Sequence, residues 1–300
     1  MDLDSLRNRF AGSHVEFEKR GKDLAVVRLR NAYGAVSVAL NGAHVLDYCG
    51  PDGEPILWLS EKANLENSKP IRGGVPICWP WFGPHGNDSK KPAHGLARFS
   101  QWDLIRVSEG ADDGMLSAEF SLKDSEQTRE LWPFSFELSY QVRLLSGALD
   151  LELTTRNSGD QTFQLSEALH TYFGLRSIHS AAVEGLSGVD YLDQLSAMER
   201  KSQSGKVLFD REVDRIYLDV PAKIWVEGSA TGKRIEIESR GSQSAVVWNP
   251  WIEKSKRMPD FGDEEYLEML CVETANAGPH ALVVHPGESH VLGTTIRAAS

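Results

Sequence analysis

Cysteine is scarce in this chain: Cys49, Cys78 and Cys271 are the only three. An odd number with no C-x-x-C pair gives neither a disulfide framework nor a zinc knuckle. Positive charge is also in short supply. Lys and Arg total 32 against 43 Asp and Glu, a formal net charge of -11, which argues against non-specific nucleic-acid binding and against an anionic membrane surface. A local group of arginines still binds a small anion inside an acidic protein. No apolar run approaches the ~20 residues that cross a bilayer. The start Met1-Asp2-Leu3-Asp4-Ser5-Leu6 lacks the basic and apolar regions of a secretion signal. The expectation is a cytoplasmic, soluble protein, with monomer as the default because no coiled coil or interface stripe is visible.

Motifs for common chemistries are missing too. No G-x-G-x-x-G follows a strand pattern, and G-x-x-x-x-G-K-[ST], H-E-x-x-H and G-x-S-x-G do not occur. Dinucleotide folds, P-loop proteins, zinc proteases and serine hydrolases are therefore not the first readings. The remaining histidines, among them His44 and His290, are scattered without a close cluster of acids, so neither a metal centre nor a cofactor is expected. Helical periodicity is rare and short: Ser60 to Leu65 with Ser60 as cap, Asp124 to Trp132, and Asp263 to Leu267.

What the chain does have is alternation with a period of two. Leu24 to Leu29 and Ala35 to Leu40 flank the turn Asn31-Ala32-Tyr33-Gly34. Similar runs follow at Met115 to Leu122, Phe134 to Val142, Ala148 to Thr154, Phe163 to Phe173, Ile216 to Val220 and Ser244 to Asn249. Turn residues between such runs predict antiparallel sheets, hence an all-β sandwich or barrel. No polar linker divides the chain, so 1–300 is read as one domain.

Two islands interrupt this pattern. The first is Arg72-Gly73-Gly74-Val75-Pro76-Ile77-Cys78-Trp79-Pro80-Trp81-Phe82-Gly83-Pro84, closed by His94-Gly95-Leu96-Ala97-Arg98. Gly and Pro set special backbone angles, while Trp81 and Phe82 offer flat surface for a pyranose ring. Arg98 and His94 return cationic groups to this loop, where guanidinium and imidazole suit a phosphate. An ordered surface loop with its tryptophans against a sheet edge is the other reading of the same composition.

The second island consists of polar residues in apolar strand-like runs. As part of a strand, His170 shares a face with Ser166, Ala168 and Tyr172, opposite Leu165, Leu169 and Phe173. Glu273 lies in Leu270-Cys271-Val272-Glu273-Thr274, where an acid is costly unless paired, exposed at a strand end or functional. Asp214 stands just before another strand, a place where turn residues are common. A satisfied structural histidine is the plainer reading of His170.

Together these islands, with Asp214-Arg215-Ile216-Tyr217 and Trp248-Asn249-Pro250-Trp251, resemble the glucose-6-phosphate 1-epimerases of the galactose-mutarotase-like superfamily. The resemblance covers nearly the whole chain. It implies a β-supersandwich of large antiparallel sheets with a sugar cleft on the concave side. It also implies that Arg72, His94, Arg98 and Asp214 bind a sugar phosphate and that His170 and Glu273 are catalytic. The expected reaction is exchange of the α and β anomers of a hexose 6-phosphate, glucose 6-phosphate ahead of the galactose and mannose 6-phosphates, with Glu273 as general base and protonated His170 as general acid. A neighbouring carboxylate is expected to keep His170 charged. A free aldose 1-epimerase, a non-catalytic carbohydrate-binding protein on the same scaffold and a glycosidase using Asp214 with Glu273 are the alternatives.

Overall fold

Phe136–Leu145 alternates buried and half-buried side chains along its whole length, as a strand with one face in a core must. In the computed structural model, which describes residues 3–10, 12–110 and 114–299, this strand belongs to the first of two eight-stranded sheets. Met1 and Asp2 of the N-terminal reading lie outside the described residues. The first sheet runs in the order Ala182–Glu184, Lys223–Glu227, Ile235–Arg240, Ser289–Ala298, Ala148–Asn157, Phe136–Leu145, Leu116–Lys123, Asp103–Glu109. The second runs Glu199–Ser202, Asp190–Asp193, Val213–Leu218, Ser244–Asn249, Met269–Asn276, Glu167–Leu169, Ile77–Cys78. Tyr172–Gly174 also pairs with its strand Met269–Asn276. The named strand pairs are antiparallel, and the fold is the expected all-β supersandwich.

One hydrophobic core joins the sheets. Trp79 is its best-anchored bridge. Its indole N–H donates to Thr155 Oγ1 across the core at 3.0 Å, and its ring meets Trp132 edge-on at 5.0 Å and Phe136 at 4.5 Å. Burying a side chain such as Phe136 stabilises by about 1.5–3 kcal/mol. A four-stranded sheet, beginning with Val15–Arg20, completes the wall. Within it the expected hairpin forms, with Asn31 level with Gly34.

The strand Met269–Asn276, like its neighbour Ser244–Asn249, is buried on both faces. Thr274 points toward the first sheet, where its hydroxyl meets that of Ser239 at 2.8 Å. Alternation then sends Cys271 and Glu273 to the opposite, concave face. A polar face with cover over it is where a cleft can form.

Three local expectations need correction. Ser60–Leu65 is a turn, not a helix; the Ser60 hydroxyl donates to Glu265 at 2.7 Å and accepts from the Lys62 N–H, which ties down a turn. The run from Phe163 to Phe173 is three short strands, Phe163–Leu165, Glu167–Leu169 and Tyr172–Gly174. His170 therefore falls in a break between strands, its N–H bonded to the Pro76 carbonyl at 3.0 Å. Asp214, expected just before a strand, is the second residue of Val213–Leu218. The helix Glu126–Leu131 does form where expected, capped reciprocally by Ser125 and Thr128. Among the described residues no helix is long and apolar enough to cross a membrane.

Candidate active site

Register builds the site. Leu169 pairs with Thr274 on one side of the strand break, and Tyr172 with Cys271 on the other. The pairing is unshifted across the gap, so His170 comes level with Glu273. The same rows continue across the sheet: Glu273 opposes Val246, and Cys271 opposes Trp248, which opposes Asp214. Cross-strand partners share a face. His170, Glu273, Val246, Trp248 and Asp214 thus project together, although they come from four separate segments of sequence.

They line a cleft of about 510 Å³ that Arg72, His94 and Arg98 also enter. Glycines make that entry possible. At Gly74 (φ +61°) a Cβ would stand 2.0 Å from the Val45 carbonyl oxygen, and at Gly95 (φ +74°) 1.9 Å from that of Trp79. Only glycine permits both the backbone angle and the contact. The Arg72 loop then runs beside the His170 segment, accepting the Tyr172 N–H on the Gly74 carbonyl at 2.9 Å, while the Leu96 N–H donates to the Trp79 carbonyl at 2.8 Å.

His170 Nε2 lies 3.3 Å from Glu273 Oε1, with both side chains almost wholly buried. Glu273 Oε2 and His170 Nδ1 are buried without a hydrogen-bond partner among the described residues. A buried polar atom left unpaired costs about 1–3 kcal/mol, a cost that a polar ligand in the cleft relieves. The His170 ring stacks on Tyr172, centroids 4.8 Å apart at 12°. Tyr172 in turn accepts a hydrogen bond from Arg72 at 3.1 Å, and Arg72 pairs with Asp260 at 3.2 Å.

The charge state of the pair departs from expectation. Burial pushes His170 well below the ordinary histidine value, and nearby His94, Arg72 and Arg98 push it further down. Burial pushes Glu273 well above the ordinary carboxyl value, helped by Asp214. Both displacements favour the uncharged forms, a protonated carboxyl and a neutral imidazole. Contact with Glu273 does not by itself keep His170 charged, because desolvation opposes both ions.

His94 is likewise neutral. Burial, then Arg98 and Arg72, push it down to about 3. It sits at φ +62°, and its Nδ1 accepts the Gly83 N–H at 3.3 Å, which leaves Nε2 as the donor. Its part in anion binding is that of a neutral N–H rather than a cation. Burial lowers Arg72, but Tyr172 and Asp260 outweigh it and the net displacement is upward. Arg98, lowered chiefly by burial, gives one N–H to the Ala93 carbonyl at 2.7 Å. The Nε atoms of both arginines are buried and unpartnered among the described residues.

Asp214 is pushed up by burial, against the pull of Lys254 at 3.4 Å and of Gln194, which donates to it. Phe82 lines the cleft as expected; Trp81 does not. Its indole N–H donates to the Pro92 carbonyl at 2.9 Å and its ring meets His85 edge-on, so it pins the loop instead. Lys254, Gln194 and Asp260 went unread in the sequence. Lys254 follows the Trp248-Asn249-Pro250-Trp251 island within the short helix Trp251–Ser255, which is the one signal that pointed its way. His170, Cys271 and Glu273 bring ligand atoms within 4.8 Å of one another; the imidazole–carboxyl contact among them is the arrangement that proton transfer needs.

The depressed histidines make a stability prediction. His44, wholly buried and donating its Nε2–H to the Gly73 carbonyl at 2.8 Å, is pushed down to about 4 mainly by burial. His44 and His94 stay unprotonated in the folded chain while their unfolded counterparts charge below pH ~6.5. Their contribution is complete above that pH and is lost as pH falls toward 4. His170 has the same sign and Glu273 the opposite one. Urea unfolding is expected to show a loss of about 2–4 kcal/mol between pH 7 and pH 5. Equal stability at the two pH values would contradict the neutral assignment.

Sheets and cleft define a β-supersandwich that holds a buried acid–imidazole pair. Comparison with known proteins agrees. The family model for aldose 1-epimerase matches residues 25–297, and the chain belongs to that family. A protein of Cenchrus ciliaris named "Putative glucose-6-phosphate 1-epimerase" is 39% identical over 283 residues, covering 91% of this chain and 84% of that protein. One of the same name from Escherichia coli (strain K12) is 36% identical over 264 residues, covering 88% and 86%. A crystal structure from Salmonella typhimurium, described as a "putative mutarotase", superposes with a TM-score of 0.88 at 30% identity, covering 96% of this chain and 95% of that one.

Proposed function

We propose that the protein interconverts the α and β anomers of a hexose 6-phosphate, with glucose 6-phosphate as its sugar, and that residues 1–300 work as one domain. The observation that carries this reading is the His170–Glu273 contact of 3.3 Å in a cleft that also holds Arg72 and Arg98. Glu273, as carboxylate, takes the proton from the O1 hydroxyl. His170, as imidazolium, gives a proton to the ring oxygen O5. The C1–O5 bond breaks, leaving a carbonyl at C1 and a hydroxyl on C5. Rotation about C1–C2 presents the other face of the aldehyde, and O5 re-attacks as both protons return. Atoms and electrons balance without an oxidant, a covalent adduct or a metal.

Arg72 and Arg98 hold the phosphate with charge-assisted hydrogen bonds, the His94 N–H adds a neutral one, and Asp260 fixes the Arg72 guanidinium. Asp214, steadied by Gln194 and Lys254, accepts from sugar hydroxyls. Polarimetry on freshly dissolved α-glucose 6-phosphate and α-glucose tests the substrate class. The phosphate is expected to be preferred in kcat/KM by ~100-fold or more, from two or more charged contacts. Equal efficiency on the two sugars would move the protein to the free-aldose mutarotases.

A further inference from the structure

We infer that the phosphate is a switch as well as an anchor: an oxyanion dianion seated on Arg72 and Arg98 turns on His170, so inorganic phosphite bound there accelerates ring opening of an unphosphorylated aldose in the same cleft. This rests on the reading of the site given above.

The argument starts from an imbalance of charge. Arg72, Arg98 and His94 share the cleft with His170 and Glu273. The carboxylate of Asp260 answers Arg72 at 3.2 Å. Among the described residues, the hydrogen-bonded partner of the Arg98 side chain is a neutral backbone oxygen, that of Ala93. The Nε of each arginine is buried without a partner among the described residues. The His94 ring stands 5.6 Å from that of His170. Among the described residues, Asp260 is the one carboxylate paired with these two guanidinium groups.

Until an anion arrives, the imidazolium that the reaction needs is the disfavoured form. Burial works against it first, and His94, Arg72 and Arg98 add to that in turn. A sugar phosphate carries the remedy with it. Its ring oxygen and phosphorus are separated only by C5, C6 and O6, so the phosphoryl group lands beside the residue that protonates O5. A phosphoryl group holds about -1.5 to -2 charge near pH 7. Seated on the guanidinium pair it cancels their field and attracts a proton to His170. The ionic pair of Glu273 carboxylate and His170 imidazolium, which burial disfavours, then becomes the reactive state. Free glucose fits the sugar subsite but brings no such charge, so it loses in kcat as well as in binding.

The experiment separates the two effects. Mutarotation of α-glucose by the unaltered protein is followed by polarimetry as sodium phosphite is added at constant ionic strength. The expected result is saturable acceleration of at least ~10-fold, which corresponds to about one unit of His170 pKa. The gain should appear in kcat and vanish in Arg98→Ala. With ¹⁵N-histidine labelling, phosphite should also move one imidazole toward the imidazolium shift, a signal absent from His170→Asn. If glucose 6-phosphate is preferred and phosphite competes with it, yet glucose turnover does not rise, the switch is overturned and the substrate reading stands. If the two sugars are turned over equally and phosphite does not compete, both fail together.

Discussion

Glu273→Gln is expected to reduce ring opening of glucose 6-phosphate ~100-fold or more, and His170→Asn to do the same. Glu273→Gln keeps the shape of an almost wholly buried side chain, His170→Asn leaves a smaller polar amide, and each removes the ability to exchange a proton. Both residues act on one proton circuit, so the double variant should lose little more than either single one. Neither change should abolish binding, because the phosphate contacts belong to Arg72 and Arg98. Calorimetry with glucose 6-phosphate is therefore expected to retain affinity within about tenfold while polarimetry loses the rate. A variant with near-normal turnover would remove its residue from the pair. Loss of binding together with rate would give that residue a structural role instead.

The second large effect concerns the arginines. Arg98→Ala should lower kcat/KM for glucose 6-phosphate by roughly 10–150-fold, since one charge-assisted hydrogen bond contributes about 1.5–3 kcal/mol. Turnover of free glucose should not fall, because it has no group for Arg98 to hold. Asp260→Asn should act in the same direction but more weakly. It leaves the Arg72 bond to Tyr172 in place and removes only the charge that positions the guanidinium. Equal losses on both sugars in Arg98→Ala would show that the residue holds the loop and not the phosphate.

The parts of this site legible in the sequence were those with a local signature. A carboxyl and an imidazole in apolar runs are costly enough to stand out, and the Arg72 loop is unlike any strand. The alternating runs likewise gave strands near their observed limits, because period-two burial is a local property. Contact between His170 and Glu273 was not legible. It depends on register carried across a break in the strand, and that register is set by pairing with segments from elsewhere in the chain. The protonation state was misread for a related reason. Sequence supplies the pair of groups, while the size of the desolvation and the field of Arg72 and Arg98 come from the closed cleft. Trp81 shows a limit of composition, since an aromatic in a cleft loop can face either way. Asp260 and Gln194 sit in segments of ordinary polar composition, and only the fold brings them to the site.

Exchange between the α and β anomers of glucose 6-phosphate at equilibrium, followed by two-dimensional NMR, tests the central claim most directly. No net reaction or coupling enzyme intervenes, and the spontaneous rate is read in the same sample without protein. The account predicts exchange cross-peaks that grow with the concentration of the unaltered protein and fall to the spontaneous level with Glu273→Gln. Exchange that the unaltered protein leaves at the spontaneous rate would contradict it.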